Sequence, residues 1–173
     1  LDERFRLLSE VRYVLELGGA PGGWTQYVEQ KIPKSGKLIT VDPLDVKTGE
    51  NSIHICGFVG SDRVDRQIDE ILNGRRIDIV LSDMAPNMSG IKEYDQAESM
   101  KLNFLTIDMV KRHLKNNGTS VLKTFQSPEI TNLVEEMKNS FSSVRIVKPA
   151  ASRKESSEVY VVAQGFRSVG SPS

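Results

Sequence analysis

Leu15-Glu16-Leu17-Gly18-Gly19-Ala20-Pro21-Gly22-Gly23-Trp24 is the stretch that decides the fold of this chain. The run Tyr13–Leu17 reads as a strand, the four glycines as a loop, and Trp24 as the opening of a helix. A strand that runs through a glycine loop into a helix is how α/β folds hold a nucleoside-bearing ligand. Glycine is needed there because a Cβ blocks close approach of backbone to ligand and because some positions require positive φ. The spacing is not the G-x-G-x-x-G of dinucleotide enzymes, and no G-K-[ST] follows to make a phosphate-cradling loop. The implied ligand is a nucleoside without a pyrophosphate, and S-adenosylmethionine fits that description.

Outward from this loop, strand and helix patterns alternate. Strands are expected at Lys37–Val41, Ser52–Cys56, Ile77–Leu81, Ser120–Lys123, Val144–Val147 and Val159–Ala163. Helices are expected from Trp24 to Gln30, after an N-cap at Ser61, from Ala97 to Leu114, and from Ser127-Pro128 onward. The Ala97 helix stops at Asn116-Asn117-Gly118, and the last helix presents Ile130, Leu133, Met137 and Phe141 as its apolar face. This alternation implies βαβ units and a mostly parallel sheet. The 173 residues suit one domain, assigned to 1–166, with a frayed tail at 167–173.

Bulk properties narrow the function. Hydrophobic residues make up 38% and charged residues 27%, the balance of a soluble globular domain, and no apolar run reaches membrane-spanning length. The net charge is zero, so a nucleic-acid partner has to be held by a local basic patch. Lys31, Lys34 and Lys37, near the cofactor loop, and Lys148, Arg153 and Lys154 are the candidates. The single cysteine, Cys56, forms no internal disulfide or zinc pattern and is expected to be a small buried hydrophobe in a reducing compartment. A cytoplasmic location is expected, or the mitochondrial matrix if the source is a eukaryote, and the chain is expected to be a monomer without a metal. The chain does not begin with Met, so residues upstream of Leu1 are expected.

In an open α/β sheet the ligand lies beyond the carboxyl ends of the strands, so each strand end can be read for chemistry. The second ends at Asp42, which offers a ribose diol an acceptor pair or simply forms a turn before Pro43. The fourth runs into Ser82-Asp83, the fifth ends at Lys123, and the last begins at Glu158. Asp83, Lys123 and Glu158 therefore gather at one rim. A lysine ending a buried strand pays for desolvation unless it is paired. Trp24 reads equally well as a core aromatic or as a wall of the ligand site. His54 and His113 have no partner at metal-ligand spacing.

These motifs carry a family resemblance that spans the chain. Leu17–Gln26, the signature Ser82-Asp83-Met84-Ala85-Pro86-Asn87-Met88-Ser89-Gly90, Leu122–Gln126, and Lys148–Arg153 followed by Ser157–Tyr160 resemble the FtsJ/RrmJ ribosomal RNA ribose 2′-O-methyltransferases. The resemblance implies a Rossmann-like S-adenosylmethionine-dependent methyltransferase fold. Its sheet is seven-stranded and mostly parallel, with helices on both faces. It also implies methylation of a ribose 2′-hydroxyl, on uridine, in large-subunit ribosomal RNA. S-adenosylmethionine is the implied cofactor and the RNA, within the large ribosomal subunit, the partner. Other members of the superfamily act on transfer RNA or cap riboses, and a non-catalytic RNA-binding domain is the third reading.

A Lys-Asp-Lys-Glu tetrad is implied by the same resemblance. Its aspartate falls on Asp83, its second lysine on Lys123 and its glutamate on Glu158, while its first lysine belongs just upstream of Leu1. In that scheme Lys123 assists deprotonation of the ribose hydroxyl, Asp83 orients Lys123 and the methyl donor, and Glu158 holds the lysine or the ribose. The implied cofactor contacts are Gly18, Ala20, Pro21, Gly22, Gly23, Trp24, Asp42 and Asp83. Phe58 stands where many members carry an acid toward adenine; either a neighbour such as Asp62 substitutes, or backbone groups and stacking hold the base. Among the basic candidates, Arg153, Lys154 and Lys148 are the expected RNA contacts, because they lie close in sequence to Glu158.

Overall fold

The computed structural model describes residues 2–20, 23–149 and 158–168. A short helix α1 (Asp2–Phe5) precedes β1 (Tyr13–Leu17), α2 (Gly23–Lys31), β2 (Lys37–Asp42) and β3 (Ser52–Cys56). Helix α3 (Asp62–Leu72), β4 (Ile77–Ser82), α4 (Lys92–His113), β5 (Leu114–Phe125), α5 (Ile130–Lys138), β6 (Phe141–Val147) and β7 (Glu158–Phe166) follow. The strands form one seven-stranded sheet in the order β3-β2-β1-β4-β5-β7-β6. Only β7 runs against its neighbours, pairing antiparallel with both β5 and β6.

Alternation along each strand builds two cores. Leu15, Leu17, Ile39, Val41 and Leu122 face α3, α4 and α5, packing on Val64, Ile68, Met109 and Leu133. Val14, Leu38, Leu81, Val121 and Val162 face the other way, onto Val28 of α2, Ile32 just after it, and Leu7, Leu8 and Val11. Central strands buried on both faces read as continuous apolar runs, so the polar exceptions Glu16 and Thr40, both fully buried, stand out. Among the described residues no helix is long and apolar enough to cross a membrane.

Several elements differ from the sequence expectation for identifiable reasons. Helix α4 begins at Lys92, not Ala97, because the buried Asp95 carboxylate ties its first turn to the preceding loop by accepting from Ser89 N, Ser89 Oγ and Gly90 N. The same helix ends at His113, ahead of the Asn-Asn-Gly signal, because Leu114 pairs with Ile77 and is buried. The extra residues are absorbed as a register shift in β5, where Asn117 takes a φ of 65°. Helix α5 starts at Ile130 because Ser127 makes a backbone turn, its carbonyl accepting from Ile130 N, and its side chain does not cap. Phe141 leaves that helix to open β6, where it packs on Phe166 with ring centroids 5.3 Å apart. Ser61 does cap α3, its Oγ accepting from Val64 N.

Candidate active site

Two loops lock together at the carboxyl rim of the sheet. Gly18 N donates to Val41 O, and Asp83 N donates to Leu17 O, so the β1 and β4 loops continue the sheet past its strands. Gly18 has a φ of 78°, and a Cβ there would lie 2.9 Å from Met84 Cγ and 3.0 Å from Met84 N. Only glycine both adopts that conformation and lets the two loops touch. Asp42 ties in the second strand. Its Oδ2 accepts from Ala20 N at 3.0 Å and its Oδ1 from Leu44 N at 2.8 Å. The turn-forming role and the loop-binding role are thus filled by one carboxylate, and each oxygen keeps a lone pair for a ligand hydroxyl.

Beneath Gly19 lies Glu16. Its Oε1 accepts from Thr25 Oγ1 of α2 at 2.5 Å, while its Oε2 is buried without a hydrogen-bond partner. Thr40 stands opposite Glu16 in the β1–β2 register, close enough to lower its pKa but without a hydrogen bond of ordinary geometry. A Cβ at Gly19 would sit 2.0 Å from Thr40 Oγ1 and 2.7 Å from Glu16 Oε1. Burial raises the Glu16 pKa first of all, against hydrogen bonding from Thr25, and the charges of Asp83 and Asp42 raise it further.

Lys123 Nζ meets Asp83 Oδ1 at 2.9 Å, which supplies the pairing that a lysine at a buried strand end needs. Sheet register puts Glu158 and Tyr160 on the same face as this pair, since Lys123 lies opposite Tyr160 and Phe125 opposite Glu158. Tyr160 feels both acids: burial raises its pKa, and Asp83 and then Glu158 add to the rise. Its ring packs on Trp24 with centroids 5.7 Å apart. These two aromatics, with Leu81, Val121, Arg4 and Lys148, border a cavity of about 730 Å³ on the α2 face. Trp24 is therefore both a core aromatic and a cavity wall.

The remaining expected residues are spread more widely. Gly23 opens α2, and Phe58 is 72% exposed in the loop after β3. Asp62, the first residue of α3, is exposed too. Lys148 is exposed just past β6. Pro21, Gly22, Arg153 and Lys154 lie outside the described residues. Lys31, Lys34 and Lys37 are not near the cofactor loop: the end of α2 and the start of β2 fall at the opposite, amino rim of the sheet. Cys56 is exposed, not buried, because β3 is an edge strand; its thiol donates to Pro43 O. Sequence reading passed over Glu16, Thr25, Thr40 and Tyr160. A glutamate inside an apolar strand was the available signal for the first.

A glycine loop packed so closely that a Cβ at Gly18 or Gly19 would strike the protein beneath it, a buried carboxylate with an unused oxygen, and a loop-binding aspartate fit a cationic nucleoside ligand. Among the described residues no three His, Cys, Asp or Glu side chains gather as a metal site would require. The family model for FtsJ-like methyltransferases matches residues 1–166. The chain belongs to the FtsJ-like methyltransferase family. It is 40% identical over 167 residues to the ribosomal RNA large subunit methyltransferase E of Stutzerimonas stutzeri, covering 96% of this chain and 81% of that protein. The protein of the same name from Hahella chejuensis is 42% identical over 170 residues, covering 96% and 81%. A solved putative ribosomal RNA methyltransferase from Plasmodium falciparum superposes with a TM-score of 0.83 at 29% identity, covering 95% of this chain and 92% of that one. The Rossmann-like, mostly parallel sheet of this FtsJ-like methyltransferase is thus shared with a relative of known structure.

Proposed function

We propose that this chain transfers a methyl group from S-adenosylmethionine to a ribose 2′-hydroxyl of large-subunit ribosomal RNA, with uridine as the target nucleotide. The observation that carries the reading is the Lys123–Asp83 ion pair set directly beside the glycine cradle. The names of the two bacterial relatives support the ribosomal substrate, and the family resemblance favours uridine.

When bound, the cofactor supplies an electrophilic methyl group on a sulfonium. The chain's part is to bring a weakly acidic hydroxyl in line with that group, and most of the catalysis is positioning. Gly18, Gly19 and Asp42 hold the nucleoside, with the exposed Phe58 ring available to stack on its base. Asp83 fixes Lys123 at the attacking oxygen, and as that oxygen takes the methyl group its proton passes to the amine form of Lys123 and from there to solvent. Glu158 and Tyr160, on the same sheet face, fix the ribose side of the site. Lys148, Arg153 and Lys154 take phosphate contacts, which set register but not sequence.

The test is transfer of tritium from labelled S-adenosylmethionine to large ribosomal subunits, naked ribosomal RNA and transfer RNA, followed by alkaline hydrolysis. A 2′-O-methyl group blocks attack on the neighbouring phosphodiester, so the label should appear in an alkali-resistant dinucleotide from the large-subunit RNA. Label in transfer RNA alone, on a base, or in no RNA would refute the reading.

A further inference from the structure

Glu16 is the least expected group in the protein. It is fully buried in the central strand β1, with one neutral hydroxyl, that of Thr25, as its hydrogen-bond donor and with Oε2 unpartnered. An ionised carboxylate so poorly solvated costs several kcal/mol unless a cation faces it. The charged groups that act on it are Asp83, just past the end of β4, and Asp42, at the end of β2; Asp83 is paired with Lys123 and also acts on Tyr160 of β7. His54 Nε2, from β3, meets the Asp42 backbone carbonyl. Lys123 pairs with Asp83, and both acids that act on Glu16 oppose its ionisation. The backbone of Gly19 lies on the Glu16 carboxylate with no room for a methyl group between. The ligand cradle and the buried acid are therefore separated by a single peptide layer.

S-adenosylmethionine carries a net positive charge because of its sulfonium, and its demethylated product is neutral. We propose that Glu16 is a proton-linked positioning residue, which releases its proton to solvent when the sulfonium cofactor binds and takes one back when the neutral sulfide is left in the site. The proposal rests on the reading of S-adenosylmethionine as cofactor. It gives the site a means of telling substrate from product, since an ionised Glu16 favours the cation, and a protonated one does not. It also ties cofactor charge to loop geometry, because Glu16 holds Thr25 at the first turn of α2. The raised pKa of Glu16 agrees with a proton held in the ligand-free state.

Calorimetric titration of the whole chain with S-adenosylmethionine and with S-adenosylhomocysteine tests this, run from about pH 5 to about pH 7 to stay below the α-amino range of the ligands. Buffers of different ionisation enthalpy count the protons. Affinity for the cationic cofactor should rise with pH, by up to about tenfold per unit where one proton is released, while affinity for the sulfide changes less. Glu16→Gln should flatten the cofactor's pH dependence and abolish proton release, with thermal unfolding confirming that the variant is folded. If that variant does not fold, the wild-type ratio of the two affinities still decides: a ratio constant with pH overturns the proposal. Proton release that persists in folded Glu16→Gln overturns it too, and assigns the linkage to Asp42 or Asp83. Failure to bind S-adenosylmethionine at any pH would instead refute the cofactor reading.

Discussion

Replacing Gly19 by alanine isolates the packing beneath the cofactor loop. Gly19 does not occupy the left-handed region, so an alanine there carries no intrinsic backbone strain, unlike one at Gly18. The effect is steric alone. The added carbon would lie 2.0 Å from Thr40 Oγ1 and 2.7 Å from Glu16 Oε1, where ordinary contact begins near 3.4 Å. Neither oxygen yields freely, since Thr40 is β-branched on a central strand and Glu16 is held by Thr25. Overpacking of this kind costs about 1–3 kcal/mol. If the loop moves instead, S-adenosylmethionine binds more weakly and methyl transfer slows, because displacements near 1 Å in a positioned site cost on the order of 100-fold in rate. Urea denaturation and calorimetric binding measure the two terms. Adding Thr40→Ala removes the nearer oxygen and should recover about 0.5 kcal/mol or more, a favourable coupling in the double-mutant cycle. A Gly19→Ala variant with wild-type stability and affinity, or a double variant no better than the single, would refute the steric argument.

Three further outcomes follow from the geometry. Asp42→Ala orphans Ala20 N and Leu44 N, so it should cost about 1–3 kcal/mol for the stranded donors and weaken cofactor binding, read by urea midpoint and calorimetry. Asp95→Asn leaves one strong acceptor for three donors, so exchange protection of the Ser89 and Gly90 amides and methyl-transfer rate should both fall while the fold persists. His113 is buried at the end of α4, and burial depresses its pKa below the ordinary 6.5 against the pull of Asp69 and Asp65. Its stability contribution is therefore present above 6.5 and lost as pH falls through the lowered folded value. The urea midpoint of wild type should drop more than that of His113→Gln between about pH 8 and about pH 5.5.

What the sequence revealed depended on how local the cause was. The glycine loop, the strand ends and the Ser61 cap follow from neighbours within a few residues, and Asp83 and Lys123 were legible because strand ends in a parallel sheet converge on one rim. Phe141 continued the helical spacing of Met137, but its partner Phe166 is remote in sequence and draws it into β6. The early start of α4 depends on Asp95 reaching back into the loop, which no periodicity reports. The misplaced lysines at 31, 34 and 37 show the limit of proximity in sequence, because a single helix carries the chain from one rim of the sheet to the other. Tyr160 needed the β5–β7 register before its chemistry could be seen, whereas Glu16 was signalled by an acid inside an apolar strand.

The central claim is that the Lys123–Asp83 pair is where methyl transfer happens, and Lys123→Ala tests it most directly. Single-turnover transfer of labelled methyl to large ribosomal subunits should be measured beside calorimetric affinity for S-adenosylmethionine. Loss of one group acting on the proton or the developing oxyanion costs about 10²–10⁴ in rate. The account predicts a fall in that range, with cofactor affinity held within a few-fold because the glycine cradle and Asp42 are untouched. Turnover close to wild type would remove Lys123 from the chemistry, and with it the site described here.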